Sequence, residues 1–266
     1  MSTFSNDILA GKVALVTGGG TGICKGIARA FAAHGASVCL VSRKPDVLAA
    51  AADEIARETG AQVTTAAADV RQPDQVNAAV AACLERFGRL DILVNGAAGN
   101  FLAPAAALSP NGFRTVIEID LLGTFHASKA AFEPLQKSGR GLILNLSATL
   151  HYHGTPLQAH AAAAKAGVDS LTRTLAVEWA RLGIRVNAIA PGAIGDTEGM
   201  RRLAPGEVGR RILEQIPLGR FGTIDDVAGC ALFLASDAGA WITGAVFVVD
   251  GGHSVAPPPL VMPPAS

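Results

Sequence analysis

Short runs of apolar residues alternate along the chain with longer stretches in which apolar residues recur every three or four positions. The short runs predict buried strands, and the longer stretches predict helices that pack against them. The predicted strands cover residues 12–17, 36–42, 62–69, 90–95, 141–147, 184–190 and 245–250. The predicted helices cover residues 22–34, 46–59, 73–87, 110–136, 156–182 and 225–235. This alternation predicts a doubly wound α/β fold, in which about seven parallel strands form the sheet of a single domain over residues 1–266.

Two segments fall outside this alternation. Residues 193–216 have no strong apolar period and contain several glycines and a proline, which predicts a mobile loop with one short helix. Ligands of such sheets bind beyond the carboxyl ends of the strands, so this loop is expected to cover a binding site. The tail over residues 256–266 is rich in proline and is predicted to be extended.

The charge balance narrows the range of partners. Lys plus Arg equals Asp plus Glu, at 22 each, so the 266-residue chain has no net charge with which to bind nucleic acid. We find no apolar stretch of membrane-spanning length and no secretory signal pattern. The four cysteines form no C-x-x-C pair, which favours a reducing compartment over disulfides or a zinc site. Because no peroxisomal tripeptide is present either, the sequence predicts a cytoplasmic protein.

The segment TGGGTGIC at 17–24 lies between the first predicted strand and the first predicted helix. Glycines at positions 18 and 22 permit a tight turn, and the helix N-terminus presents free N–H groups to a phosphate. This context predicts a dinucleotide site rather than a purely structural turn. The cysteine that follows is interpreted as a small buried residue rather than a reactive thiol. The residues predicted to bind the cofactor here are Gly18, Gly20, Thr21, Gly22 and Ile23.

The end of the second predicted strand indicates which nicotinamide cofactor is used. An acidic residue there would accept hydrogen bonds from the ribose of NAD, whereas this chain has Ser42, Arg43 and Lys44. Hydrogen-bond donors and positive charge suit a 2′-phosphate, so NADP(H) is the predicted cofactor. The alternative is that Arg43 and Lys44 belong to a solvated loop.

Four segments together resemble the short-chain dehydrogenase/reductase family. They are the T-G-x-x-x-G-x-G turn, in which Cys24 replaces the third glycine, and the segments ADV (68–70), NGAAG (95–99) and NAIAPG (187–192). The resemblance implies a Rossmann-like fold and a homotetramer. It also implies cofactor contacts by Asp69, Val70, Asn95, Ala97, Lys165, Pro191, Gly192, Ile194 and Thr197.

The proton-transfer group of this family is missing from its usual place. Most members carry a Tyr-x-x-x-Lys pair on one helix face, in which the lysine holds the ribose and the tyrosine moves a proton. Here the lysine is Lys165, but Ala161 stands at the tyrosine position and Ala148 at that of the family's serine. Tyr152 lies in a loop, and His160 is about 140° away from Lys165 around the helix. Ordinary carbonyl reduction is therefore disfavoured.

Longer segments resemble a branch of the family that lacks this tyrosine, the 2,4-dienoyl-CoA reductases, particularly the peroxisomal type. The segments are 97–113, 119–125, 160–169 and 190–203. The resemblance implies NADPH-dependent reduction of a dienoyl-CoA to an enoyl-CoA in fatty acid β-oxidation, with Asp120 and Lys165 as catalytic residues. Hydride addition would leave an enolate. Lys165 would then stabilise charge while Asp120 positions a water that protonates carbon. The alternative is that Asp120 only bonds to neighbouring backbone.

The same resemblance implies an acyl-CoA substrate site. Arginine side chains suit its phosphates, and the residues concerned are Arg43, Arg71 and Arg202. Contacts with the acyl arm are expected from Phe101, Ser109, Pro110 and Asn111. The HYH segment at 151–153 predicts a polar loop rather than a metal site, because neighbouring side chains diverge. Two other hypotheses stay open: an oxidoreductase with another thioester or carbonyl substrate that uses Tyr152 or a histidine as acid, and a non-catalytic NADP-binding scaffold.

Overall fold

A computed structural model describes residues 4–256. The strands are β1 (Val13–Thr17), β2 (Ser37–Ser42), β3 (Val63–Ala67), β4 (Ile92–Asn95), β5 (Gly141–Leu146), β6 (Ile184–Pro191) and β7 (Val246–Val249). The helices are α1 (Gly22–Ala33), α2 (Pro45–Thr59), α3 (Pro73–Phe87), α4 (Pro110–Ile117), α5 (Gly123–Lys137), α6 (Ala159–Trp179), α7 (Glu198–Leu203), α8 (Glu207–Gln215) and α9 (Ile224–Ala235).

The strands of the described residues form one parallel sheet in the order β3-β2-β1-β4-β5-β6-β7. The chain starts in the middle of the sheet, builds outward to β3 and then returns to continue from β4. This reversal between β1 and β4 opens a crevice at the carboxyl ends of the two strands, where doubly wound sheets bind their ligands. The predicted fold class is confirmed.

Helices cover both faces of the sheet because neighbouring strand residues point to opposite sides. Within β1, Val16 packs on the layer formed by α1, α2 and α9, whereas Leu15 packs on the layer formed by α3, α5 and α6. Fully buried side chains such as Phe31 and Leu135 fill these two layers. Each such side chain stabilises the fold by about 1.5–3 kcal/mol through the surface it removes from water.

The predicted continuous helix over 110–136 is wrong in its middle. A π-helical turn at Glu118–Leu122 separates α4 from α5. Just after this turn a Cβ added to Gly123 would lie 2.6 Å from Cγ2 of Val70, so the chain passes unusually close to the loop after β3. The widened turn adjusts the path of the helix at this close approach. An apolar period cannot reveal it, because Val70 lies far away in the sequence.

The structure differs from the predicted elements in three smaller ways. The third strand is shorter than the predicted 62–69, and α6 begins at Ala159 rather than 156, after Leu157 with a positive φ of 66°. The segment 193–216 contains two helices instead of one: α7 ends at Leu203, and Gly206, with a φ of 56°, directly precedes α8. Apart from Ala256, the predicted tail lies outside the described residues. Between residues 4 and 256 no helix combines the length and apolarity needed to cross a bilayer.

Candidate active site

The glycine turn after β1 forms a cradle at the N-terminus of α1. Gly18 has a φ of 68°, and a Cβ there would lie 2.7 Å from the carbonyl oxygen of Gly96. Gly22 has a φ of 55°, and a Cβ there would point into open space. The side chain of Thr21 does not cap α1, so the first N–H groups of the helix keep no side-chain partner. Free N–H groups at a positive helix end fit a phosphate, and the cradle therefore fits a dinucleotide.

Two other residues of the turn, Gly20 and Cys24, pack against neighbouring parts of the fold. A Cβ on Gly20 would lie 3.1 Å from Cγ1 of Val47, so this glycine lets α2 approach. The thiol of Cys24 lies 3.5 Å from the carbonyl oxygen of Gly96, and burial raises its pKa to about 12. This fits the interpretation of Cys24 as a small packed residue, because a thiol with so high a pKa is inert at neutral pH.

A cavity of about 210 Å³ continues from the cradle across the ends of β2 and β3. Predicted cofactor residues in its lining are Gly18, Thr21, Ser42, Arg43, Asp69, Val70 and Ala97. Arg43 is exposed there, and no hydrogen bond or ion pair engages its side chain among the described residues. Lys44 precedes α2 and does not line the cavity. A free guanidinium beside the Ser42 hydroxyl suits a 2′-phosphate.

Asp69 and Arg71 bind each other. Two guanidinium nitrogens of Arg71 donate to the Asp69 carboxylate, Nε at 3.0 Å and Nη2 at 2.5 Å. The hydrogen bonds from Arg71 hold the pKa of Asp69 below its usual range. Arg71 also borders a separate hollow of about 290 Å³ with Glu118 and His126. The predicted phosphate role of Arg71 therefore competes with an existing bidentate pair.

Asn95 lies at the end of β4 but is used inside the protein. Its amide donates to Oγ of Ser128 at 3.0 Å and to Oδ1 of Asn145 at 2.9 Å, and Asn145 in turn donates to Thr172 at 2.8 Å. Such a buried network ties β4 and β5 to the helices above them. The amide oxygen Oδ1 of Asn95 has no hydrogen-bond partner among the described residues, so it stays available for the predicted cofactor contact.

Asp120 and Lys165 form a buried ion pair, and Ile119, the neighbour of Asp120, lines the smaller cavity. Their Oδ2 and Nζ atoms are 3.2 Å apart, and the residues are 2% and 8% exposed. The other carboxylate oxygen accepts the N–H of Gly99 at 2.7 Å, and the ammonium also donates to the carbonyl of Leu146 at 2.8 Å. The π-helical turn carries Asp120 against α6, while α6 carries Lys165. The two residues predicted to be catalytic are therefore in contact, and Asp120 bonds to the backbone of Gly99 as well as to Lys165.

No phenol stands beside this pair. Ala161 is 2% exposed and packs with Val116 and Ala164 in a small apolar cluster. Tyr152 is 41% exposed and lies edge-on to His151, with ring centroids 4.6 Å apart. Partial burial and the charge of Asp169 raise the pKa of Tyr152, which makes it a weaker acid. The hypothesis that Tyr152 supplies the proton finds no support in this geometry.

A larger cavity of about 570 Å³ opens beyond the pair and is covered by α7 and α8. Predicted cofactor residues in its lining are Ile23, Pro191, Gly192, Ile194 and Thr197. Ala148, at the position of the missing serine, also lines it. Thr197 begins the cover, because its hydroxyl accepts the N–H of Met200 at 3.1 Å and donates to the carbonyl of Ile194 at 2.8 Å. The cavity has mostly apolar walls and polar groups at its edges, which suits an acyl chain.

None of the predicted substrate residues is in the lining of this cavity. Phe101 is half-exposed at its edge, next to the lining residue Asn100. Ser109, Pro110 and Asn111 start α4, where the Ser109 hydroxyl accepts the N–H of Gly112 at 3.0 Å. Arg202 is exposed on α7 and has no hydrogen bond or ion pair with another described residue. Its guanidinium is free to meet a phosphate.

The sequence patterns do not predict the buried position of His160. Its position on α6 does separate it from Lys165, but its ring lies fully buried beneath Phe101, with ring centroids 4.3 Å apart. The negative charge of Asp120 favours the protonated form of the ring and opposes the lowering of its pKa by burial. The signal that could have revealed it is the start of α6 at Ala159, which places His160 in the first turn beside the loop after β4. Within residues 4–256, no three histidine, cysteine or acidic side chains are grouped to hold a metal ion.

Comparison with known proteins places these features in a family. A family profile described as enoyl-(acyl carrier protein) reductase, of the short-chain dehydrogenase/reductase type, matches residues 18–254. The peroxisomal 2,4-dienoyl-CoA reductases of Arabidopsis thaliana and Danio rerio are each 47% identical to the chain, covering 94% of it and 87% and 83% of those proteins. A short chain dehydrogenase from Bacillus anthracis, solved by crystallography, is 42% identical with a TM-score of 0.83, over 94% of this chain and 99% of that one.

Proposed function

The chain belongs to the short-chain dehydrogenase/reductase family, and from this premise we propose that it reduces 2,4-dienoyl-CoA to enoyl-CoA with NADPH. As an oxidoreductase of this family it acts on CH–CH groups with a nicotinamide cofactor. The proposed setting is the β-oxidation of unsaturated fatty acids. Support comes from relatives that are named for this reaction and from the free Arg43 guanidinium in the smaller cavity.

One observation carries the proposal: the Asp120–Lys165 pair stands alone, with alanines at the two positions where the family places its tyrosine and serine. Carbonyl reduction produces an alkoxide that needs a proton from an adjacent acid. Reduction of a conjugated thioester instead spreads negative charge over an enolate and ends with a proton on carbon. A buried cation that stabilises developing charge meets this need without a phenol.

Residues of the glycine cradle and the smaller cavity would hold the cofactor, which supplies a hydride when bound. Lys165 is anchored at two points, the Leu146 carbonyl and Asp120, so its ammonium is held in one position. From there it can orient the ribose and place positive charge near the thioester oxygen. With one carboxylate oxygen on Lys165 and the other on the Gly99 N–H, Asp120 is placed to hold a water that delivers the proton to carbon. Asp120 also fixes the loop after β4 through the Gly99 N–H.

The substrate would occupy the larger cavity with its acyl chain. The apolar wall beneath α7 and α8 takes the hydrocarbon, while the coenzyme A arm leaves past Phe101. The phosphates of coenzyme A then lie within reach of exposed arginines such as Arg202 on α7, whose side chain has no partner among the described residues. Arg71 would have to leave its pair with Asp69 to take part.

Purified protein with NADPH tests the proposal by a panel of substrates. We expect NADPH to be consumed with a short 2,4-dienoyl-CoA, and the diene absorbance to be lost in step. A saturated acyl-CoA and a simple ketone serve as matched controls and should give no consumption. Turnover of the ketone alone, or tight NADPH binding without turnover of any thioester, would instead favour the carbonyl reductase or scaffold hypothesis.

Replacing the lone tyrosine separates the first two hypotheses. Because Tyr152 does not line the larger cavity and its ring packs on His151, Tyr152→Phe should leave kcat within about twofold of the wild type. A phenol that donated the proton would instead cost about 10²–10⁴-fold when removed. Steady-state kinetics with the dienoyl-CoA distinguish these results directly.

The remaining parts of the proposal concern assembly and location. We propose a homotetramer, supported by the exposed apolar residues Leu218 and Val248 in a hollow of about 440 Å³ beside the edge strand β7, and by Trp241 at 99% exposure. Light scattering after size-exclusion chromatography tests it, and a monomer would contradict it.

For the compartment we propose the cytoplasm, although relatives bear the name peroxisomal. Imaging of the tagged full chain decides between the two.

A further inference from the structure

His160 is a buried histidine without a conventional partner. It lies in the first turn of α6, is 0% exposed, and neither ring nitrogen makes a hydrogen bond among the described residues. The Phe101 backbone is the hydrogen-bond acceptor that a protonated His160 ring would face, and the Phe101 ring lies against it with centroids 4.3 Å apart. A buried imidazole whose nitrogens make no close hydrogen bond in the neutral state costs stability, and its place beside Phe101 and the Asp120–Lys165 pair suggests a role in the site.

Few charges face this ring. Among the described residues, the only charged side chain that acts on His160 is Asp120, from the π-helical turn. The loop after β4 contributes backbone at Phe101 rather than a titratable group. On α6 itself, Lys165 lies behind the carboxylate and is paired with it at 3.2 Å. Asp120 therefore has two cationic or potentially cationic neighbours, Lys165 and His160.

We propose that neutral His160 is a positioning residue for the reaction: it supports the Phe101 wall and, by staying uncharged, leaves Asp120 to pair with Lys165. This inference rests on the proposed function. A protonated imidazole would attract the same carboxylate, and Asp120 would be divided between two cations. Lys165 would then lose one of its two anchors, and its hold on the nicotinamide ribose would weaken.

Burial agrees with this role. It lowers the pKa of His160 from the ordinary value of 6.5, against weaker opposing effects of the Phe101 backbone and Asp120. The folded chain therefore binds the proton only at a lower pH than the unfolded chain does. It follows that the histidine is neutral in the native state at neutral pH, and that stability falls as the pH decreases below 6.5.

Two substitutions separate packing from titration. His160→Phe keeps a ring against Phe101 and removes the titratable group, whereas His160→Gln keeps polar atoms and removes the ring. His34→Gln is the control, because His34 is also buried but lies at the end of α1, with Nδ1 2.7 Å from the Ala30 carbonyl. For each protein we would measure the NADPH dissociation constant and kcat with dienoyl-CoA between about pH 5 and 8.

In the wild type, affinity for NADPH and kcat should both fall on the acid side, by up to about tenfold for each pH unit. In His160→Phe, the acid limb, meaning the decline of both pH profiles on the acid side, should move by about one pH unit or more to lower pH. The value of kcat at neutral pH should change by less than about threefold. His160→Gln should move the limb equally but raise KM for the acyl-CoA, because Phe101 loses its support. The control should leave both profiles unchanged.

An acid limb that is the same in wild type and His160→Phe would overturn the inference. So would equal movement of the limb by the control. NADPH binding needs no turnover, so its pH profile tests the positioning role even if the chain reduces a different substrate. Absence of dienoyl-CoA turnover with a His160-dependent binding profile would contradict the proposed function alone.

Discussion

The tyrosine position shows how one residue alters the chemistry of a site. With Ala161 and Ala148 in place of the usual acid and its hydroxyl partner, the polar centre consists of the Asp120–Lys165 pair. The space left by the phenol is not empty, because Ala161 packs with Val116 and Ala164. The site is therefore built around its lysine and has no vacancy for a restored tyrosine.

Ala161→Tyr tests that packing. A phenol forced into the cluster should overpack it and lower the free energy of unfolding by about 1–3 kcal/mol. Urea denaturation followed by circular dichroism measures the change. Ala163→Tyr, at an exposed position on the same helix, is the matched control and should have little effect. If the two variants unfolded at the same urea concentration, the description of a filled tyrosine position would be wrong.

Arg43 is the residue on which cofactor choice depends. Because its guanidinium lies unpaired in the smaller cavity, Arg43→Ala should raise the NADPH dissociation constant about 10- to 100-fold, as loss of a charged hydrogen bond costs about 1.5–3 kcal/mol. Affinity for NADH should change by less than about threefold, since NADH lacks the 2′-phosphate. Fluorescence titration measures both constants, with Arg57→Ala, on the exposed face of α2, as control. Equal losses for both cofactors would contradict the role.

At the scale of elements, the N-caps of two helices, α7 and α9, stabilise different parts of the molecule. Helix α7 has only six residues and begins at Thr197, whose hydroxyl bonds both to Met200 and back to Ile194. Helix α9 begins at Thr223 with a reciprocal capping box to Asp226. The first cap lies at the wall of the larger cavity and the second lies away from it, so the two threonines form a natural comparison.

Thr197→Ala should loosen the cover of the larger cavity. Loss of a helix cap costs about 1 kcal/mol. In so short a helix, the cost should appear as a several-fold rise in KM for the acyl-CoA with little change in global stability. Thr223→Ala should show the reverse, a lower melting temperature with an unchanged KM. Kinetics and thermal unfolding of both variants check this, and a raised KM in Thr223→Ala alone would contradict it.

The sequence patterns anticipate the elements well wherever local residues determine them. Apolar runs located the strands, and the glycine turn before α1 was recognised because its signal is local. An apolar period does not reveal the π-helical turn, and the close approach of Gly123 to Val70 beside it joins residues far apart in the sequence. His160 was set aside for its direction on the helix. Its burial depends on Phe101, which comes from a different loop.

At the scale of the whole molecule, the sheet order explains how distant segments make one site. The reversal between β1 and β4 gathers the glycine cradle, the end of β2 and the loop after β4 around one cavity. The ends of β5 and β6 add the second cavity next to it. The sequence anticipated this convergence, since strands of a parallel sheet all end on one side. It could not show that Arg71 and Asn95 are already engaged by internal partners.

The central claim is that Asp120 and Lys165 act as one unit in place of a phenol. Its most direct test is kcat for 2,4-dienoyl-CoA in Asp120→Asn, Lys165→Met and the double variant. Asparagine keeps an acceptor for Gly99, and methionine keeps the length of the lysine stem, so both should fold; circular dichroism and melting temperature confirm it. Each single change should lower kcat about 10²–10⁴-fold. The double variant should keep a kcat close to that of the less active single variant. Losses that multiply, or full activity in Asp120→Asn, would contradict the claim.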